Sequence, residues 1–356
     1  MNLKRMLSLF GMKWDEYFVQ SERVKEDVYK KAAENLVSVG KAFYCQCVGK
    51  NAKLEGYSKE LRDPCRDKNL TSGAVKLKAS DNEIISYHDY VLDKDISWDT
   101  SKIADATLLK SDGFPTYHLA VVVDDHDMQI SHALRGHDWL PSTPVHLLVY
   151  KYLGYKPTEI GHLTDILSPQ GGKLAKRKGS TSIDQFIADG YLPEAILNFV
   201  ILLGWAPKNN HELFTLDEFV TAFDPKGFQK SNPVFHTEKL DWFNGYYIRQ
   251  KSDSELAELL KSFIPLSFQT AESRSGIYKN VIPLIKDRIS KLSDFSALAG
   301  FLFERPKVDI SLFGDLDYKI HLSKAVEALL VIEQFNNLAI QQCLSDLIKK
   351  EGWKTG

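Results

Sequence analysis

No run of eighteen apolar residues occurs in the 356-residue chain, so no segment has the makings of a membrane-spanning helix. Four cysteines, Cys45, Cys47, Cys65 and Cys343, are too few for a disulfide scaffold and fit a reducing compartment. The two common phosphate signatures are absent: there is no GxxxxGK[ST] and no strand-linked GxGxxG, which removes P-loop and dinucleotide-fingerprint readings. There is also no HExxH and no DxDxDG, and no histidine pair sits at i, i+4 on a helix, so His126, His132 and His137 do not read as metal ligands. A formal net charge of -2 means that any nucleic-acid partner must be held by a local basic surface.

Against these absences stands GGKLAKRKGSTS at 171–182, with Lys173, Lys176, Arg177 and Lys178 between glycines and hydroxyl residues. Glycine lets a backbone approach a ligand closely, and lysine is a mobile point charge suited to phosphate oxygens. Such a loop could close over a polyphosphate; a solvated basic loop is the plainer alternative.

At 44% hydrophobic and 26% charged residues, the chain can bury a large core over two or three domains. The opening MNLKRMLSLFGMKW holds no acid, as transit peptides do, but Leu3, Met6, Leu7 and Phe10 fall at helical spacing and read better as a core helix. Residues 20–39 predict an amphipathic helix ended by Gly40, and AVKLKA and EIISYHDYVL are strand-like. In FPTYHLAVVVDDHD the apolar run Leu119–Val123 predicts a buried strand, with Asp124 and Asp125 at its end capping the next helix. ISHALRG and STPVHLLVYKYLG predict helices, the second with Ser142 or Thr143 as N-cap, Pro144 at the first helical position and Gly154 as terminator. Beyond residue 180 helical patterns dominate, including LPEAILNFVILLGW, Leu256/Leu259/Leu260/Phe263 and Val326/Leu329/Leu330, with a loop expected at 266–276. The fold class read from this order is α/β first and all-helical afterwards.

Cys45, Cys47 and Cys65 are one ligand short of a tetrahedral zinc site, and Tyr57, Asp67 or a histidine could complete it; buried thiols packed as small hydrophobes are the alternative.

In order along the chain, these segments resemble glutamyl-tRNA synthetases, class I enzymes of the bacterial and organellar type. The resemblance rests on FPTYHLAVVVDDHDMQISHALRGHDWLPSTPVHLLVYKYLGY, on KLAKRKG as a KMSKS-type loop with Ala175 in place of its usual serine, on IDQFIADGYLPEAILNFVILLGW, on FHTEKLDWFNGYYIR and on WDEYFVQSERVKEDVYKKAAENLVSVGKAFYCQC. It covers about residues 3–250; the remainder matches only in being helical.

The resemblance implies a Rossmann-like catalytic domain at 1–184 with an acceptor-binding insert at about 41–105, a stem-contact domain at 185–252 and an anticodon-binding domain at 253–356. It implies ATP-dependent activation of glutamate and transfer to tRNA(Glu), with Mg²⁺ accompanying the nucleotide. Lys176 and Lys173 become the catalytic lysines, while Asp138, Trp139, Lys173, Leu174, Ala175, Lys176 and Arg177 contact ATP. Tyr117, His118, Leu119, Ala120, Val121 and Arg135 take the glutamate, for which arginine supplies a planar fork and tyrosine a rigid hydroxyl. Cys45, Cys47 and Cys65 lie where some relatives bind zinc. The family's HIGH signature is missing, so the catalytic domain is expected to be incomplete at its front, with a catalytically inactive tRNA-binding remnant as the rival reading and a glutamine-charging sibling as a third. A monomer without membrane association is expected, in a mitochondrial matrix or, alternatively, a bacterial cytoplasm.

Overall fold

The structure, a computed structural model, describes residues 3–47, 61–174, 182–264, 277–302, 305, 307 and 317–353. The chain divides into two compact units, Met1–Leu298 and Ala299–Gly356.

The first unit opens with α1 (Leu3–Leu9), whose Met6 is buried as the apolar spacing predicts. The helix expected over 20–39 is broken into α2 (Gln20–Lys25) and α3 (Val28–Ser38). Between them Asp27 takes the left-handed conformation at φ 57°, which a short polar side chain tolerates better than most. The break brings Gln20, Arg23 and Tyr29 onto one acceptor, the buried Asp124: Gln20 Nε2 and Tyr29 OH each lie 2.8 Å from its carboxylate, and Arg23 Nε lies 2.9 Å away. Next, β1 (Ala42–Cys45), β2 (Ala74–Leu77) and β5 (Thr107–Leu109) form an antiparallel sheet in the order β1-β2-β5. A hairpin of β3 (Ile84–Asp89) and β4 (Lys94–Asp99) stands beside it, with Tyr87 stacked on Trp98 at 5.8 Å.

Two expectations for the central region are reversed. The apolar run at 119–123 is not a strand: it lies in α4, Tyr117–Asp127. Leu119, Ala120, Val122 and Val123 pack into one core with Leu36 of α3, Leu108 of β5 and residues Leu148 and Val149 downstream. A helix covered on several sides reads as an unbroken apolar run, so periodicity could not separate it from a strand, and burial outweighs the strand preference of three successive valines. Asp124 and Asp125 accordingly cap nothing; they lie inside α4. Conversely, ISHALRG is not helical: His132–Gly136 is a strand, β6. It pairs in parallel with β7 (Glu159–Leu163) through α5 (Thr143–Leu153), a βαβ unit of the α/β kind. At the C-terminus of α5 Gly154 is left-handed at φ 72°, as predicted; at the N-terminus Ser142 holds the cap position without a side-chain hydrogen bond, and Pro144 is the second helical residue, not the first.

From residue 183 the first unit is helical: α6 (Ile183–Ala188), α7 (Pro193–Gly204), α8 (Leu216–Ala222), α9 (Thr237–Gln250), α10 (Asp253–Leu260) and the helix Ile277–Ile285. Leu256 and Leu260 are fully buried, whereas Leu259 and Phe263 are half-buried. The 266–276 loop lies outside the described residues. In the second unit the helices Tyr318–Leu330 and Asn337–Glu351 stand out, and Val326 and Leu330 are exposed. Among the described residues no helix is long and apolar enough to cross a membrane.

Gly190 joins α6 to α7 at φ 96°, and a methyl group there would sit 2.6 Å from Ser293 N and 2.8 Å from Leu292 N. Its carbonyl accepts from Leu292 N at 3.0 Å and from Asn244 Nδ2 at 3.2 Å. Gly190→Ala combines an unfavourable φ with a backbone clash and is expected to cost about 2 kcal/mol or more, read as a lower urea midpoint. An unchanged midpoint would show that the 292–293 turn yields freely.

Candidate active site

The reversal of the two elements decides where Arg135 points. On a strand, alternate residues share a face, so His132, Leu134 and Gly136 are exposed while Arg135 turns inward and is buried. There its Nη1 donates to His146 Nδ1 at 2.6 Å, and its Nη2 lies 3.4 Å from Asp125 Oδ2. Tyr150 OH donates to the same Asp125 oxygen at 3.2 Å. Burial pushes the Asp125 carboxyl up, while Arg135 and Tyr150 oppose the rise. Burial, with the guanidinium next to it, drives His146 well below the usual imidazole range, and burial alone lowers His118. His118 Nδ1 lies 3.1 Å from His146 Nε2, so α4, β6 and α5 each contribute one member of a hydrogen-bonded chain.

At the mouth of this cluster Tyr117 packs on Trp139 with ring centroids 4.2 Å apart, and both rings are more than a third exposed. Next to Trp139, Asp138 accepts from Lys173, whose Nζ also lies 2.8 Å from Asp165 Oδ1. Those two carboxylates, Asp138 first, raise the ammonium above its ordinary value. The base of the glycine-rich loop is tied down: Leu174 N donates to Ile166 O at 2.8 Å, and Gly171 N to Ser168 O at 2.9 Å. Among the residues predicted to take a nucleotide, Asp138 and Lys173 therefore meet directly, with Trp139 adjacent. Ala175, Lys176 and Arg177 lie outside the described residues. Leu119 and Ala120 face the hydrophobic core from a helix, not a strand, and Val121 is half-buried.

Sequence reasoning passed over the groups behind this cluster. His162 is fully buried in β7; its Nδ1 donates to Asp89 Oδ2 at 2.7 Å and its Nε2 meets Thr143 Oγ1 at 3.1 Å. Tyr87 OH donates to Asp89 Oδ2 at 2.8 Å, and the backbone N–H groups of Leu92, Val91 and His162 converge on Asp89 Oδ1 at 2.9, 3.1 and 3.2 Å. Burial alone would raise the Asp89 carboxyl, but these donors, His162 first, hold it down at about 2. The available signal was a histidine within an apolar run, as in PVHLLVY and EIGHL, because a polar group so placed is buried and must find partners.

A second cluster lies at the end of β1. Ligand atoms of Cys45, Cys47, Asp63 and Cys65 all fall within 4.8 Å of one another. Cys47 Sγ and Cys65 Sγ are 3.4 Å apart, and Cys45 Sγ lies 3.3 Å from Asp63 Oδ2. Two thiolates on one tetrahedral zinc stand about 3.8 Å apart, so three sulfurs and a carboxylate of this spacing fit such an ion. Among the described residues the group that stands with the three thiols is Asp63; of those expected, Asp67 pairs instead with Lys78 at 3.0 Å, and Tyr57 lies outside the described residues. Burial pushes the Cys45 thiol up to about 12, whereas the Gln46 backbone N–H lowers Cys65. Burial would raise Asp63, but Lys76 and the Cys65 N–H outweigh it and hold the carboxylate ionised.

Residues 1–242 match the family described as tRNA synthetases class I (E and Q), catalytic domain, and residues 255–356 match an anticodon binding domain. A Dehalococcoides mccartyi protein named glutamate-tRNA ligase is 40% identical over 320 residues, covering 83% of this chain and 65% of that protein. One of the same name from Clostridioides difficile is 36% identical over 307 residues, covering 80% of this chain and 62% of the relative. The chain thus spans somewhat under two thirds of the length of these relatives. A crystal structure of a glutamate tRNA ligase from Elizabethkingia meningosepticum, in complex with its amino acid, superposes with a TM-score of 0.79 at 26% identity, over 98% of this chain and 80% of the other.

Proposed function

Because the chain belongs to the class I tRNA synthetase family of glutamate and glutamine enzymes, with a helical anticodon-binding domain behind its catalytic one, we propose that it is a glutamate-tRNA ligase. It joins glutamate to ATP as glutamyl adenylate and passes the acyl group to tRNA(Glu). The observation that carries this reading is Arg135, a buried guanidinium oriented by His146 and Asp125 beside exposed Tyr117 and Trp139. Among the described residues two partners, His146 and Asp125, occupy its five N–H groups, so donors remain for a carboxylate. Tyr117 and His118 complete the amino-acid side, while Leu119 and Ala120 are buried in the core and Val121 is half-buried on the same helix. Asp138, Trp139, Lys173 and Leu174, with Ala175, Lys176 and Arg177 of the same loop, form the ATP side, with Mg²⁺ on the phosphates. Glutamate attacks the α-phosphorus, and as pyrophosphate leaves, Lys176 and Lys173 stabilise the charge that gathers on it. Lys173, held by Asp138 and Asp165, must exchange a carboxylate for phosphate oxygens as the nucleotide arrives.

The working division is a catalytic domain at 1–184 with its insert at 41–105, a stem-contact domain at 185–252 and an anticodon domain at 253–356, acting as a monomer. The relatives named above are bacterial, so the setting is translation of the bacterial type, in a bacterial cytoplasm or a mitochondrial matrix. Glutamate-dependent exchange between ATP and pyrophosphate tests the ligase reading. Exchange with glutamate and none with glutamine is expected; tRNA retention without any exchange would replace it by a non-catalytic tRNA-binding protein, and exchange with glutamine by a glutamine-charging one.

The Cys45, Cys47, Asp63 and Cys65 cluster is proposed to hold structural zinc, which would tie β1 to the turn at 63–65. Purified protein is expected to carry about one zinc per chain, and Cys65→Ser to lose it with a fall in melting temperature. Metal-free protein that neither takes up added zinc nor gains thermal stability from it would leave the thiols as packing groups.

A further inference from the structure

His146 stands in no predicted role, yet its hydrogen bonds are fully determined by one chemical fact. A guanidinium has no acceptor, so in the contact between Arg135 Nη1 and His146 Nδ1 at 2.6 Å the arginine donates and Nδ1 is unprotonated. A neutral imidazole then carries its proton on Nε2. That N–H faces His118 Nδ1 at 3.1 Å, which must accept it. His118 is left with its own proton on Nε2, and among the described residues no acceptor lies against that N–H.

We propose that His146 is a positioning residue of the amino-acid site: it orients the Arg135 guanidinium through Nδ1 and, through Nε2, fixes His118 as the neutral tautomer that offers a single N–H donor to a carboxylate or carbonyl oxygen of the bound amino acid. The three side chains come from β6, α5 and α4, so the relay locks the relative placement of the elements on which the site is built. It also keeps both histidines uncharged beside the arginine, which leaves Arg135 as the single cation of the trio. Asp125, which also accepts from Tyr150 OH, holds the other side of that guanidinium, and His162 stands near His146 without a hydrogen bond to it among the described residues.

What Arg135 and His118 touch rests on the ligase reading; the relay itself does not, and its test keeps the two apart. Long-range ¹H–¹⁵N correlation spectra of the full chain read histidine tautomers directly, with His118 assigned by its loss in His118→Gln. The unsubstituted protein is expected to show His118 protonated at Nε2 alone and His146 likewise. His146→Asn places an amide oxygen near the former Nδ1, where it can still accept from Arg135 but cannot reach His118. There His118 is expected to become a mixture of tautomers, and the KM for L-glutamate in pyrophosphate exchange to rise about tenfold, the weight of one hydrogen bond to a charged group, while the KM for ATP stays within twofold. His146→Gln reaches His118 but releases Arg135, and is expected to raise the glutamate KM further. A His118 proton on Nδ1 in the unsubstituted protein, or a tautomer indifferent to His146→Asn, overturns the relay whatever the activity. The expected tautomers in a chain that catalyses no exchange sustain the relay and remove the ligase reading.

Discussion

Arg135→Lys is expected to lower kcat/KM for glutamate in pyrophosphate exchange by about a hundredfold or more, about 3 kcal/mol. The side chain is buried, its planar fork meets His146 on one side and Asp125 on the other, and in the proposed site its remaining N–H groups take the substrate carboxylate. A lysine ammonium is one strongly hydrated point charge on a flexible stem and cannot face three directions in a plane. Whichever partner it abandons is left buried without its donor, Asp125 being the more costly because burial already disfavours its charge. Far-UV circular dichroism of the variant separates loss of the site from loss of the fold. A folded Arg135→Lys protein within threefold of the parent would take this residue out of substrate recognition.

Asp89→Ala is expected to destabilise the first unit by about 3 to 5 kcal/mol, the range for removing one partner of a buried ionic hydrogen-bond network. The substitution strips His162 Nδ1, Tyr87 OH and three backbone N–H groups of a common acceptor in a fully buried place. Its pH dependence derives from the lowered carboxyl. Asp89 titrates at about 2 in the folded protein and near 3.9 in an unfolded chain, a difference worth about 2.6 kcal/mol. Because the folded value is the lower one, that stabilisation is whole above about pH 5, shrinks as pH falls between the two values, and is gone below the folded one. Urea midpoints of parent and variant should therefore differ most near neutrality and converge as the pH falls towards 2. A constant gap across that range would show that the carboxylate's charge is not what holds the network. The consequence reaches the site, because His162 Nε2 meets Thr143, three residues before His146 on the same helix.

The resemblance to the glutamate enzymes was legible because it rests on long collinear segments, and the family match over 1–242 agrees with it. Helices with punctuated ends, such as α5 and α7, were equally legible: proline in the first turn and glycine or its equivalent at the close act locally and need no partner. Side-chain identities alone said less: the glycine-flanked lysines suited either a polyphosphate or a solvated loop, and Arg135 and Tyr117 were tied to a carboxylate by the family resemblance, which their chemistry suits.

Whether 119–123 is strand or helix, and 132–136 helix or strand, could not be read locally, because short apolar runs look alike when their surroundings cover them on more than one side. That choice sets the direction of Arg135. His146, Asp125, His162 and Asp89 acquire roles only where β3, α4, β6, α5 and β7 meet, since a buried polar group is defined by partners distant in the chain, 75 residues apart for Tyr87 and His162. The fourth member of the cysteine cluster is of the same kind: Asp63 stands 18 positions from Cys45 in the chain and 3.3 Å from it in space. Sequence alone settled which chemical groups the chain carries and where its punctuated helices begin and end; only the packed tertiary structure decided which groups meet, because burial and hydrogen-bond satisfaction belong to pairs of residues and not to any one of them.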